Sequence, residues 1–304
     1  MDERQRLTDG SLNAAAGAFQ RLRPRLFGIA YRVLGSVAEA EDVVQDVWLR
    51  WQDADRGAVL DPGAFLATVT TRLAINVARS ARVRREAYVG PWLPEPVDTS
   101  LDPHLGAERG EALELAVLLV LEKLNPVERA AYVLREAFDY AYAEIADMLE
   151  LSQANVRQIV SRARKRLAAE RRGPVDTAQH RRLLEAFVAA ARDGDLAALE
   201  SVLSADAVAY ADGNGMRGVA RLVVVGPERV ARVSAFAKKF FPGAEYRVAQ
   251  ANGRPSLTLI QNGVTVALVG VTLGADGIDR LYWVLAPDKL RAYERSAHRP
   301  TARP

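Results

Sequence analysis

The spacing of apolar residues changes once along this chain, at Gly173-Pro174, and that change limits what its 304 residues can fold into. Upstream, apolar side chains recur at three- and four-residue intervals, the period of helices that bury one face. Downstream, helical segments around Arg181 to Leu203 and Pro227 to Phe241 alternate with the strand-like runs "DAVAYAD", "SLTLIQNGVTVALVGVTL" and "IDRLYWVL". "QNGV" is a hairpin-turn signal, because Asn-Gly accepts the positive φ angles of a tight turn. An all-α first half and an α+β second half follow, and the length suffices for two or three separate cores.

Composition removes several chemistries. The chain has no cysteine, so disulfides, thiolate zinc sites and cysteine nucleophiles are excluded together. Three histidines do not suggest a metal cluster, and neither a metal nor a cofactor is expected. The start, "MDERQRLTDG", lacks an apolar core, and no apolar run approaches the roughly 18 residues of a membrane span. No membrane contact is expected, and the cytoplasm is the expected location. Net charge is only 41 − 38 = +3, but it is clustered: Arg79, Arg82, Arg84 and Arg85 form one patch, and Arg162, Arg164, Lys165, Arg166, Arg171 and Arg172 another. Two separated basic patches suggest two contacts to a polyanion.

Residues 19–85 read as helices throughout. In "SVAEAEDVVQDVWLRW", Ser36 is a cap, and Val37, Ala40, Val44, Val47, Trp48 and Trp51 share one face. The opposite face carries Asp42, Gln45, Asp46 and Leu49; a leucine framed by acids and an amide is typical of a partner contact. A second helix opens with the cap-then-proline pair Asp61-Pro62 and runs into the first basic patch. Residues 86–110, rich in proline and acid, read as an extended linker, with Trp92-Leu93 unusual for an idle tether.

"YAEIADMLELSQANVRQIVSRARKRL", Tyr142 to Leu167, has the pattern of a helix-turn-helix. Ile145, Ala146 and Leu149 give a short apolar face, the turn falls at Leu151-Ser152, and Val156, Ile159, Val160, Ala163 and Leu167 make the next stripe. The second helix turns Ala154, Gln158, Ser161, Arg162 and Lys165 outward, with Asn155, Arg157 and Arg164 on its flanks. Amides and arginines near a helix start can read base edges, while later cations suit phosphates. Glu150 occupies the turn site where glycine is usual, at a cost of about 1 kcal/mol if φ is positive there.

In this order the parts resemble sigma-70-type initiation factors of the extracytoplasmic-function group, over roughly residues 12 to 170. "RLFGIAYRVLGSVAEAEDVVQDVWLRWQ" and "AFLATVTTRLAINVARSARVRRE" are similar to region two, and "LNPVERAAYVLREAFDYAYAEIADMLELSQANVRQIVSRARKRL" to region four. The resemblance implies a region-two helical bundle at 12–85, the linker at 86–110 and region four at 111–173. Core RNA polymerase and promoter DNA are the implied partners. Asp42, Gln45, Asp46 and Leu49 match the surface that grips polymerase. Arg72, Asn76, Arg79 and Arg82 match the minus-ten contacts. Gln153, Asn155, Arg157, Gln158, Ser161, Arg162 and Lys165 would face the minus-thirty-five element. The acidic linker would mimic nucleic acid in the polymerase's positive channel.

Within the group, "WLPEP", "DGNGMRG", "NGRPS" and "APDKL" resemble the subfamily with a SnoaL-like (NTF2-like) C-terminal domain, implying a cone-shaped α+β fold at 178–295. The family form of the second motif is richer in glycine and carries a lysine, where Asn214 and Met216 stand here. Asp212, Asp276 and Asp279, at strand ends or turns, are expected to be solvated carboxylates. With no histidine in a predicted strand, no catalytic residue is assigned. The expected role is regulation in cis, the domain docking on the linker through Trp92, Leu93, Pro94, Asp212 and Gly213, with a small ligand or a regulatory protein left open as a further partner there. Two other readings stay open: a one-component helix-turn-helix regulator with a ligand domain, and a bifunctional SnoaL-like cyclase or isomerase.

Overall fold

A computed structural model describes residues 3–100, 114–170 and 177–297. Arg171, Arg172 and Pro174, the tail residue His298 and the linker beyond Ser100 lie outside them. Two compact units are formed. Of the described residues, the first unit takes those up to Val83 and Leu121–Arg166. The second takes Arg84–Ser100, Glu114–Val120 and those from Leu167 onward. The linker from Arg84 therefore belongs with the C-terminal domain, a division that the sequence boundaries 86–110, 111–173 and 178–295 do not anticipate.

The first unit is all helical, with α1 (Glu3–Leu34), α2 (Val37–Asp53), α3 (Pro62–Glu86), α5 (Pro126–Phe138), α6 (Tyr142–Leu149) and most of α7 (Gln153–Glu170); the short α4 (Leu115–Leu121) precedes α5. The starts are chemically marked. Ser36 Oγ accepts the Glu39 N–H, and Asp61 Oδ1 accepts those of Gly63 and Ala64. These side chains satisfy amides that a helix start leaves unpaired. Asn125 and Glu128 cap α5 reciprocally. A break the sequence reading lacks falls at Asp139, in left-handed conformation at φ 57°. No glycine or proline announces it.

The second unit holds α8 (Thr177–Asp193), α9 (Leu196–Val202), β1 (Leu203–Asp212), β2 (Val224–Val225), α10 (Pro227–Phe240), β3 (Glu245–Ala251), β4 (Arg254–Gln261), β5 (Val264–Leu273), β6 (Ile278–Val284) and α11 (Pro287–Ala297). The sheet order is β2-β1-β6-β5-β4-β3, parallel only between β1 and β6. Asn262-Gly263 closes the β4–β5 hairpin at φ 54° and 78°, and Asn252-Gly253 closes β3–β4 at 54° and 76°.

Two cores flank this sheet. One is apolar and continuous, with Leu184, Phe187 and Leu199 of α8 and α9 and Val230 and Ala231 of α10 packed with Leu257, Leu259, Val269, Leu281 and Trp283. The other gathers Leu268, Tyr282 and Val284 with Leu290 and Tyr293 of α11, Leu115 of α4 and Leu93 of the linker. A segment ahead of the helix-turn-helix thus completes the core of a domain that follows it.

Candidate functional site

On α2, Val37, Ala40, Val43, Val44, Val47 and Trp51 are buried, and Asp42, Gln45, Asp46 and Leu49 are exposed. Leu49 is 50% exposed, one turn beyond Gln45 and Asp46 on the same exposed face. Trp48 closes the inward side against Phe19, ring centroids 5.0 Å apart.

Helix α3 turns Arg72, Asn76, Arg79 and Arg82 outward at intervals of four, three and three residues, one face of a helix. Arg79 lies 3.5 Å from Asn76 Oδ1. Arg72 stands apart from the other three. Its guanidinium donates to the carbonyls of Met148 (2.9 Å) and Asp147 (3.4 Å) and lies 3.0 Å from a carboxylate oxygen of Glu150. It therefore caps the end of α6, where carbonyls lack helical partners. Glu150 is left-handed there, at φ 56° and ψ 46°.

Helix α7 buries Val156, Ile159, Val160, Ala163 and Leu167 and exposes Gln153, Asn155, Arg157, Gln158, Ser161, Arg162 and Lys165. Its cations are differently engaged. Arg164 is bound to Glu136 at 2.6 Å, which holds its pKa above the ordinary value. Arg162 and Arg166 lie 3.8 Å from Glu128, and Arg157 sits over the Tyr142 ring. The acids of α5 hold the far side of the helix while its amides, Ser161 and Lys165 face outward.

In the second unit Leu93 is 1% exposed and gripped at both main-chain ends. Its N–H donates to Asp212 Oδ2 at 2.8 Å, and its carbonyl accepts from Lys289 Nζ. Lys289 also pairs with Asp212 at 2.6 Å, and Tyr88 donates its hydroxyl proton to Asp212 Oδ1. Burial lowers the Lys289 pKa while Asp212 pulls it back, and burial followed by the Asp212 hydrogen bond raises that of Tyr88. Trp92 lies against two cations, Arg85 at 3.7 Å and Lys289 at 4.3 Å from its ring centroid. Pro94 and Gly213 are buried beside this cluster.

Further along, Val97 and Asn252 exchange hydrogen bonds, and the Gly253 N–H donates to Thr99 Oγ1. Arg254 forms two hydrogen bonds with Glu114.

The expectation of solvated carboxylates fails at two positions of three. Asp212 and Asp279 are 0% and 1% exposed, and only Asp276 faces solvent. Asp279 is consumed by Thr272 and Arg280. Sequence reasoning missed Tyr88 as the linker residue that binds Asp212, and Asn252 and Lys289 as linker partners, although the last two lie inside the quoted "NGRPS" and "APDKL". Among the described residues no cluster of His, Asp and Glu could hold a metal ion, and no helix is long and apolar enough to cross a membrane.

Comparison with known proteins covers the elements that carry these surfaces. The model of sigma-70 region 2 matches residues 18–84, and that of sigma-70 region 4 matches 114–167. The ECF RNA polymerase sigma factor SigJ of Mycobacterium tuberculosis (strain H37Rv) is 39% identical over 88% of this chain and 84% of its own length. The probable ECF RNA polymerase sigma factor SigI of the same species is 31% identical over 91% of the chain and 96% of its length. The crystal structure of M. tuberculosis SigJ superposes with a TM-score of 0.74 at 33% identity, covering 91% of this chain and 98% of that one. Its coverage includes the α+β domain. The chain belongs to the extracytoplasmic-function family of RNA polymerase sigma factors, which direct transcription initiation.

Proposed function

We propose that this sigma factor is controlled in cis through its linker. The observation that carries the reading is the grip on Leu93, whose N–H, carbonyl and side chain are all taken up within the C-terminal domain. A linker segment buried there cannot at the same time line a polymerase channel. Docking and engagement are then exclusive states, and the fused domain acts as a brake at high effective concentration.

In the same reading, Asp42, Gln45, Asp46 and Leu49 hold core polymerase. Asn76, Arg79 and Arg82 meet the minus-ten strand, with Arg72 joining once it leaves α6. The outer face of α7 reads the minus-thirty-five element. The C-terminal domain performs no catalysis: apolar side chains fill the space between its sheet and helices, and Asp212 and Asp279 are tied up in ion pairs. The protein works in the cytoplasm, beside its polymerase.

The test is transcription in vitro with core polymerase and the full chain, comparing wild type, Trp92→Ala and Leu93→Asp on promoters selected from genomic fragments. The variants, with their linker released, should initiate faster at equal holoenzyme occupancy. Equal initiation rates would overturn the brake.

A further inference from the structure

The segment from Gly213 to Phe241 carries six cations and one acid, 6 − 1 = +5, more than the whole chain's +3. The other 275 residues therefore sum to −2. Arg232 pairs with Glu228, and Lys238 donates to the Asp193 carbonyl. Arg217, Arg221, Arg229 and Lys239 are exposed and have no ion pair among the described residues.

The cations of α10 share one face. Along α10, Arg229, Arg232, Phe236 and Lys239 follow at intervals of three, four and three, while Val230, Ala231, Ser234 and Ala237 are buried on the opposite face. The loop before α10 starts at its far end, where a Cβ on Gly218 would come within 2.7 Å of the Phe240 ring. It finishes at Gly226, the N-cap of the same helix. The segment thus returns from one end of α10 to the other, carrying Arg217 next to Gly218 and Arg221 with its main chain against Gly90 of the linker. The helix's 14 residues span about 21 Å. Over that length one strand of a DNA duplex presents about six phosphates, at roughly 3.4 Å per strand step.

We infer that this basic segment and the exposed face of α10 on the C-terminal domain form a DNA-backbone contact, independent of sequence and additional to regions two and four. The inference rests on the promoter function of the family, which brings a polyanion to the chain. Leu222 and, on β2, Val225, 80% and 57% exposed, would also suit a protein partner. Charge decides for DNA, because the only acid of the segment is already paired and four cations remain without a counter-ion.

The experiment is fluorescence anisotropy of the full chain with a labelled mixed-sequence duplex, titrated with KCl. Wild type is compared with the combined Arg217→Gln, Arg221→Gln, Arg229→Gln and Lys239→Gln variant and, should that unfold, with Arg229→Gln alone. Each lost phosphate contact removes about 0.9 from the slope of log K against log salt. The quadruple variant should lose about 3.6 units of slope and at least about tenfold in affinity at low salt, and Arg229→Gln about 0.9. Lys165→Ala, on α7, should subtract separately. Wild-type binding with an unchanged slope in the folded variants overturns the inference and leaves the sigma reading intact. An unchanged slope with weakened core polymerase binding overturns it in favour of a protein contact. A wild-type chain that neither binds this duplex nor supports initiation by core polymerase sinks the promoter reading itself.

Discussion

Asp212 and Lys289 form an ion pair at 2.6 Å with side-chain exposures of 0% and 8%, and the main chain of Leu93 lies between them. A pair this dry is worth little as a pair, but either charge left alone is costly. Lys289→Met should lower the unfolding free energy by about 3–5 kcal/mol in urea, and Asp212→Asn combined with Lys289→Met should recover most of it. Additive losses from the two substitutions would mean that the residues are not coupled.

Leu49 offers the opposite case, since its exposure leaves little folding energy to lose. Leu49→Arg should leave the thermal midpoint nearly unchanged, within about 0.5 kcal/mol of stability. Its affinity for core polymerase should fall at least about tenfold, a loss of about 1.4 kcal/mol. Retained affinity in a binding assay would remove α2 from the polymerase interface.

Glu150 sits at a left-handed position, and glycine would relieve about 1 kcal/mol there. Its pair with Arg72 is exposed on both sides and is worth at most about 1 kcal/mol. The two terms nearly cancel, so Glu150→Gly should not lower stability by more than a few tenths of a kcal/mol. It should free Arg72 for single-stranded DNA. A larger drop in a chemical melt would show that Glu150 holds more than this pair.

His180 on α8 donates Nε2–H to the Pro255 carbonyl at 3.1 Å while buried. Burial, reinforced by Arg254, lowers its pKa below the ordinary 6.5, against the opposing effect of the Pro255 bond. In acid below 6.5 the unfolded chain binds this proton more readily than the folded one, so stability falls with pH through that window. The wild-type thermal midpoint should decline more steeply below pH 6.5 than that of His180→Gln. Parallel curves would exclude His180 as a source of the slope.

Much of the first unit was legible in the sequence, because its helices bury one stripe and carry their own caps: Ser36, Asp61 and the pattern around Val156 and Ile159 are local signals. The left-handed Glu150 was also anticipated, from a glycine that is missing. What stayed illegible depends on distance along the chain. The solvated state expected of Asp212 is wrong because its partners Tyr88 and Lys289 lie 124 and 77 residues away. Edge strand β3 escaped because the apolar alternation of "EYRVAQA" covers only Tyr246 and Val248, and α11 because its large apolar positions, Leu290 and Tyr293, are few.

The second core sets an order of events during synthesis. Leu93 leaves the ribosome 189 residues before Tyr282, the sheet residue with which it shares that core. At about 5–20 residues per second, the gap lasts roughly 10–40 s. For that interval the linker has no cradle, and for the last 109 of those residues, from 173 to 282, both of its flanking sigma regions are complete. Under the proposed brake, a newly made chain is therefore unrestrained before it is complete, and translation itself opens a short window in which polymerase can reach the linker first.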